Sequence, residues 1–129
     1  MKHKPLIAVV DDDQSVREAL DNLISSVGFG VKLFASAEDF LDSDTALQTD
    51  CAILDVRLPR ISGLELQQRL AADGQSIPII IITAQGDDKT QDEAVAAGAI
   101  AFLKKPVKEE VLLAALESAL KRKAKELAT

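Results

Sequence analysis

The sequence predicts an α/β fold, a doubly wound parallel sheet with helices on both faces. Three observations predict it. Short, β-branched apolar runs alternate along the chain with segments whose apolar residues recur at helical spacing. The runs are mostly apolar instead of alternating with polar residues, the pattern of strands buried on both faces. Acidic and polar residues stand just where these runs stop, at the carboxyl edge where such sheets bind ligands. With 129 residues, 47% of them hydrophobic, the chain is long enough for one domain with a real core and too apolar to be disordered.

Each element has its own signal. LIAVV (6–10) is the first strand. Val16, Leu20, Leu23, Ile24 and Val27 then share a helical stripe that ends at Gly28. VKLF (31–34) is the second strand. Ser36 and Asp39 have the S-x-x-D form of a capping box and open a helix with Ala37, Phe40 and Leu41 on one face. CAILD (51–55) is the third strand. Ser62 and Glu65 repeat the capping logic and start a helix that runs to about Ala72. IPIIIIT (77–83) reads as the fourth strand, with Pro78 tolerated at its beginning. Residues 88–97 form a weak, alanine-rich helix stopped by Gly98, and AIAFL (99–103) is the fifth strand. Pro106 suits the first turn of a long last helix, whose stripe is Val111, Leu112, Leu116, Ala119 and Leu120.

Composition narrows the function. Lys and Arg total 15 against 21 Asp and Glu, a net charge of −6, which argues against this chain binding nucleic acid by itself. Cys51 is the only cysteine, so an intrachain disulfide and a zinc site built on several thiolates are both excluded. Its place in an apolar strand predicts a packed, inert thiol. No apolar run reaches the roughly 18 residues of a membrane span. The opening MKHKPLIAVV resembles a signal peptide only superficially, because Asp11, Asp12 and Asp13 follow it. A cytoplasmic protein without membrane association is expected, with His3 an exposed bystander.

The strand ends carry the chemistry. Asp11, Asp12 and Asp13 follow the first strand, Asp55 ends the third, Thr83 ends the fourth, and Lys104 and Lys105 follow the fifth. Taken singly, an aspartate after a strand is usually a turn or cap residue, as Asp13 is if it caps the first helix. Brought together, three carboxylates repel one another, and a hard cation such as Mg²⁺ resolves the repulsion with oxygen ligands. A hydroxyl and an ammonium on neighbouring strands complete a pocket for a tetrahedral oxyanion. The reaction this suggests is attack by Asp55 on a phosphoryl group to give an acyl phosphate, with the metal and a lysine stabilising the charge.

VVDDD (9–13), LDVRLPRISG (54–63), ITA (82–84) and FLKKP (102–106), in this order, resemble the receiver domain of two-component response regulators. The resemblance runs from about Pro5 to Leu120, and GFGVKLFASAEDFL (28–41) is most similar to receivers of the FixJ type, which commonly carry a C-terminal DNA-binding helix-turn-helix. It implies a (βα)5 flavodoxin-like sheet with strand order 2-1-3-4-5. It implies that Asp55 is the phosphoacceptor, charged by a sensor histidine kinase. Asp11 and Asp12 match the pair that holds Mg²⁺, Asp12 directly and Asp11 mainly through water, with Asp55 and the backbone carbonyl of Arg57 as further ligands. Lys105 matches the family's lysine and its bond to Pro106 is expected to be cis. Thr83 matches the switch hydroxyl and Phe102 the switch aromatic. Arg57 and Gln85 match positions that border the phosphate and tune its lifetime. The guanidinium of Arg57 either pairs with the phosphoryl group or obstructs attacking water.

The expected output surface is the fourth helix, fifth strand and fifth helix, which in similar receivers supports phosphorylation-dependent homodimers. Residues 1–122 are expected to form the receiver, and 123–129 the start of a linker to an output domain absent from this chain, with DNA contacted only through that domain. Two alternatives are a Mg²⁺-dependent phosphatase of the haloacid dehalogenase kind and a degenerate binding scaffold. Arg57 stands where such a phosphatase carries its second aspartate, and the full Asp11, Asp12, Asp55, Thr83 and Lys105 set argues against a scaffold.

Overall fold

In the computed structural model, residues 4–74, 76–84 and 88–128 are described, without the side chains of 46, 47 and 124–128. His3 and Gln85 lie outside the described residues. Five strands, β1 (Leu6–Val10), β2 (Gly30–Phe34), β3 (Cys51–Asp55), β4 (Ile79–Thr83) and β5 (Ala101–Lys104), form one parallel sheet in the order β2-β1-β3-β4-β5. Between and after them run α1 (Gln14–Ser26), α2 (Ala37–Asp42), α3 (Gly63–Ala72), α4 (Asp88–Ala96) and α5 (Glu109–Ala128). A short 3-10 turn at Asp44–Gln48, which no sequence pattern announced, leads into β3. Among the described residues no helix is long and apolar enough to cross a membrane.

Strand periodicity sorts the core into two layers. Ala8, Val10, Ala52, Leu54 and Ile81 point to the face covered by α2, α3 and α4, where Phe40, Leu66, Leu70 and Ala94 meet them. Ile7, Val9, Cys51, Ile53, Ile80 and Ile82 point to the other face, against Leu20 and Ile24 of α1 and Leu112, Leu116 and Ala119 of α5. Every residue of β3 and β4 is buried, which explains why those runs show no polar alternation. Cys51 is fully buried, and burial, with the charge of Asp50 second, pushes its thiol up to about 12. Asp50 locks the start of β3 to the start of β1: its Oδ2 accepts the Leu6 N–H at 2.8 Å, and its own N–H donates to the Leu6 carbonyl at 2.9 Å.

Caps set the helix ends. Asp13 accepts the Ser15 N–H, Ser36 that of Asp39, and Ser62 that of Glu65. Gly28, beyond α1, has φ +93°, a left-handed conformation that costs a side-chain-bearing residue more.

Three boundaries differ from the sequence expectation. The fourth strand begins at Ile79, after Pro78, which has no N–H for a ladder. The Pro78 carbonyl still accepts the Ala52 N–H at 3.0 Å. The fifth strand begins at Ala101, because Ala99 is occupied closing α4, its N–H bonded to the Ala94 carbonyl. The last helix begins at Glu109, not at Pro106: the Lys108 carbonyl accepts the Leu112 N–H, and Glu109 and Glu110 fill the first turn, where carboxylates suit the helix dipole. Val111 is consequently 45% exposed and leaves the expected stripe, while Ala115 joins it.

Candidate functional site

The carboxyl ends of β1, β3 and β5 bring the predicted residues together. One oxygen each from Asp11, Asp12 and Asp55 lies within 4.8 Å of the others. Asp11 is fully buried and Asp55 is 5% exposed, while Asp12 faces solvent. Lys105 reaches back from the end of β5, its Nζ 2.8 Å from Asp11 Oδ2 and 3.3 Å from Asp55 Oδ2. The contact to Asp55 has hydrogen-bond geometry. The shorter one to Asp11 is an ion pair of charge without that alignment. The Lys105–Pro106 bond is cis, and the Lys105 N–H donates to the Thr83 carbonyl at 2.8 Å.

The electrostatics follow from these contacts. Burial raises the Asp55 carboxyl above its ordinary value and the charge of Asp11 adds to this, against the Arg57 N–H and Lys105, which favour the anion. Burial alone would lower the Lys105 ammonium, but the close ion pair with Asp11, together with the charge of Asp55 and its hydrogen bond, outweighs it, and the net shift is upward. The site therefore sets three carboxylates against the single ammonium of Lys105. Such a donor set, all hard oxygens with one solvent-facing member, fits a divalent cation that keeps some of its water.

Thr83 is the fully buried last residue of β4. Phe102 pairs with Ile81 and Lys104 with Thr83, so Thr83 and Phe102 lie two positions apart on one face of the sheet. That face is the α4 side, where Phe102 packs half-buried against the core layer containing Ala94. Arg57 is exposed, and its N–H donates to Asp55 Oδ1 at 3.2 Å.

Three residues near the site escaped the sequence reading. Gly63 opens α3 directly against the end of β3, and a Cβ there would overlap the Asp55 carbonyl oxygen. A glycine at a helix start, where better helix formers are available, was its only signal. Arg17 of α1 donates from Nη1 to the Asp11 carbonyl at 2.7 Å. Gln67 of α3, 3% exposed, donates to the Ala94 carbonyl of α4 at 3.2 Å. Neither had a sequence signal, since a polar residue on a helix reads as solvated until its neighbours are known. Arg60 in the loop after β3 adopts a left-handed φ of 65° and pairs with Glu38 of α2.

A parallel (βα)5 sheet with an acidic cluster and a lysine at its carboxyl edge defines a class of domains fitted to hold a cation and a phosphate there. The family model for the response regulator receiver domain matches residues 7–117, and the chain belongs to that family. It is 49% identical over 116 residues to the response regulator protein TmoT of Ectopseudomonas mendocina, covering 90% of this chain and 53% of that protein. It is 42% identical over 122 residues to the transcriptional regulatory protein FixJ of Bradyrhizobium diazoefficiens, covering 95% and 60%. Among solved structures it superimposes on the response regulator StyR with a TM-score of 0.90 at 47% identity, covering 98% of this chain and 64% of that one. On the N-terminal part of FixJ the TM-score is 0.82 at 35% identity, with 93% and 96% covered. The chain spans about half to three-fifths of the curated relatives it matches. It is a two-component response regulator receiver, a signalling module.

Proposed function

We propose that Asp55 accepts a phosphoryl group from the phosphohistidine of a sensor histidine kinase and that the resulting charge switches the α4–β5–α5 face. The observation that carries this reading is the meeting of Asp11, Asp12 and Asp55 within 4.8 Å, with Lys105 bridging two of them. In the transfer, an Asp55 oxygen forms a bond to phosphorus as the phosphorus–nitrogen bond of the donor breaks, and the histidine leaves as neutral imidazole once protonated. Asp11, Asp12, Asp55 and the Arg57 carbonyl would hold Mg²⁺, which when bound supplies charge stabilisation to the phosphoryl oxygens. Lys105 neutralises charge on the same oxygens, and the Arg57 N–H keeps the Asp55 carboxylate oriented. A mostly apolar groove formed by Val16, Ala19, Leu20, Pro106 and Val107 adjoins Lys105.

After transfer, Thr83 donates to the new phosphoryl oxygens and Phe102 turns inward behind it. α4 is the element that yields, since Ala94 is its only buried residue. Arg57 and Gln85 set the lifetime of the acyl phosphate. The output is transcriptional, through a separate domain joined by residues 123–129 to a receiver spanning 1–122, in the cytoplasm, with a phosphorylation-dependent homodimer as intermediary.

Incubation with acetyl phosphate and Mg²⁺, followed by intact mass, tests the acceptor. The chain should gain one phosphoryl group, and Asp55→Asn none. Continued hydrolysis of a phosphomonoester beyond one equivalent would establish the phosphatase alternative instead. Equal decay of the phosphorylated parent and Arg57→Ala would remove the lifetime role of Arg57.

A further inference from the structure

Asp11 is engaged at every polar group. Its N–H donates to the Phe34 carbonyl at 3.0 Å, Oδ1 accepts the Asp13 N–H at 2.9 Å, and Oδ2 faces Lys105 at 2.8 Å. The remaining group, its carbonyl, takes the 2.7 Å bond from Arg17 Nη1. The Arg17 N–H bond to the Asp13 carbonyl at 3.1 Å is the first backbone bond of α1, made by whatever residue stands there, so it is the side chain alone that adds the hold on Asp11. Asp12 lies between Asp11 and Asp13, exposed, and its carboxylate makes no hydrogen bond or ion pair among the described residues.

We propose that Arg17 is a positioning residue for the cation site: by clamping the Asp11 carbonyl it fixes the peptide between Asp11 and Asp12 and presets the direction in which Asp12 offers its carboxylate. The inference rests on the Mg²⁺ reading above and adds a residue that touches neither metal nor phosphate. A charge-assisted bond from a planar guanidinium constrains direction as well as distance. Among the described residues Asp12 has no other partner to orient it, so the peptide that carries it governs where its oxygens lie.

Two effects of Arg17 oppose each other, and that makes the idea testable. As a positive charge near three carboxylates, Arg17 disfavours a bound cation by Coulomb repulsion. As a clamp, it favours the cation by preorganising a ligand. If charge dominates, removing Arg17 tightens Mg²⁺ binding, and if the clamp dominates, removal weakens it. Supporting shells of this kind change metal affinity about 10- to 100-fold, whereas a solvent-screened charge changes it less.

The chain has no Trp or Tyr, so the experiment is calorimetric titration of Mg²⁺ into the folded parent, Arg17→Gln, Arg17→Lys and Asp12→Asn, with circular dichroism confirming each fold. Arg17→Gln should bind Mg²⁺ about tenfold more weakly. Arg17→Lys, which keeps the charge and a donor but not the fork, should recover only part of the loss. Affinity in Arg17→Gln equal to or tighter than the parent overturns the clamp while leaving the cation site standing. A parent that binds no Mg²⁺, or an Asp12→Asn variant that binds as well as the parent, overturns the cation site and the clamp with it. Should Arg17→Gln not fold, Arg17→Lys decides: parental affinity there overturns the clamp.

Discussion

α1 and α4 flank the same site and are held in opposite ways. α1 buries Leu20 and Ile24, is capped by Asp13, and anchors the acidic turn through Arg17. α4 buries only Ala94, leaves Val95 57% exposed, and is tied to α3 by one buried hydrogen bond, from Gln67. The difference teaches where the molecule places rigidity. The side that must present carboxylates at fixed distances rests on large aliphatic side chains. The side proposed to move buries one methyl group of its helix and takes a buried hydrogen bond from Gln67, so its rearrangement exposes little apolar surface.

The sharpest way to break this comparison is to truncate both anchors. Ile24→Ala should cost about 3 kcal/mol in urea unfolding, and Ala94→Gly only about 1 kcal/mol. Equal losses would abolish the contrast. Next in size is Gly63→Ala. A methyl group forced against the Asp55 carbonyl should cost about 2 kcal/mol and slow phosphoryl uptake together, because the clash acts on the nucleophile's own backbone.

Asp55→Asn comes third and runs in the opposite direction. The Asp55 carboxyl is raised in the folded chain, so the native state holds its proton to higher pH than the unfolded chain does. The contribution of Asp55 to stability is then fully present below the ordinary carboxylate value of about 3.9 and is lost as pH rises through the raised one. Asn removes that penalty. Without metal, its melting midpoint should exceed the parent's by about 3 °C at neutral pH and converge on it toward about pH 4. A constant difference across that range would mean that the charge is not the cause.

The smallest effect belongs to Gln67→Leu. It removes the bond to Ala94 and also the glutamine's Oε1, which is buried without a hydrogen-bond partner among the described residues. The two changes oppose each other, so global stability should move by less than about 1 kcal/mol. Amide exchange in α4 should nevertheless quicken while α1 stays unchanged. Unaltered exchange in α4 would show that Gln67 is not what holds it.

The sequence made the central strands plain and the contacts between helices obscure. LIAVV and CAILD correspond residue for residue to β1 and β3, since a fully buried strand leaves a continuous apolar run. The outer elements were misplaced where backbone bonding overrode composition: Pro78 could not donate to the ladder, Ala99 closed α4, and Glu109 rather than Pro106 began α5. The meeting of Asp11, Asp12, Asp55 and Lys105 was legible because strand ends of a parallel sheet share one edge. Gln67 and Arg17 were not, because a buried glutamine and a solvated one look alike in a helical stripe. Gln67 gains its meaning from α4, which the topology packs beside α3, and Arg17 from the turn that brings Asp11 back against α1.

Cys51 turns the centre of the sheet into a clock. Its thiol, pushed up to about 12 and buried on the face covered by α1 and α5, can meet an alkylating reagent only when that helix layer lifts from the sheet. A rearrangement confined to α4 and Phe102 would leave the sulfur dark, so labelling kinetics would distinguish a molecule that has switched from one that has come apart.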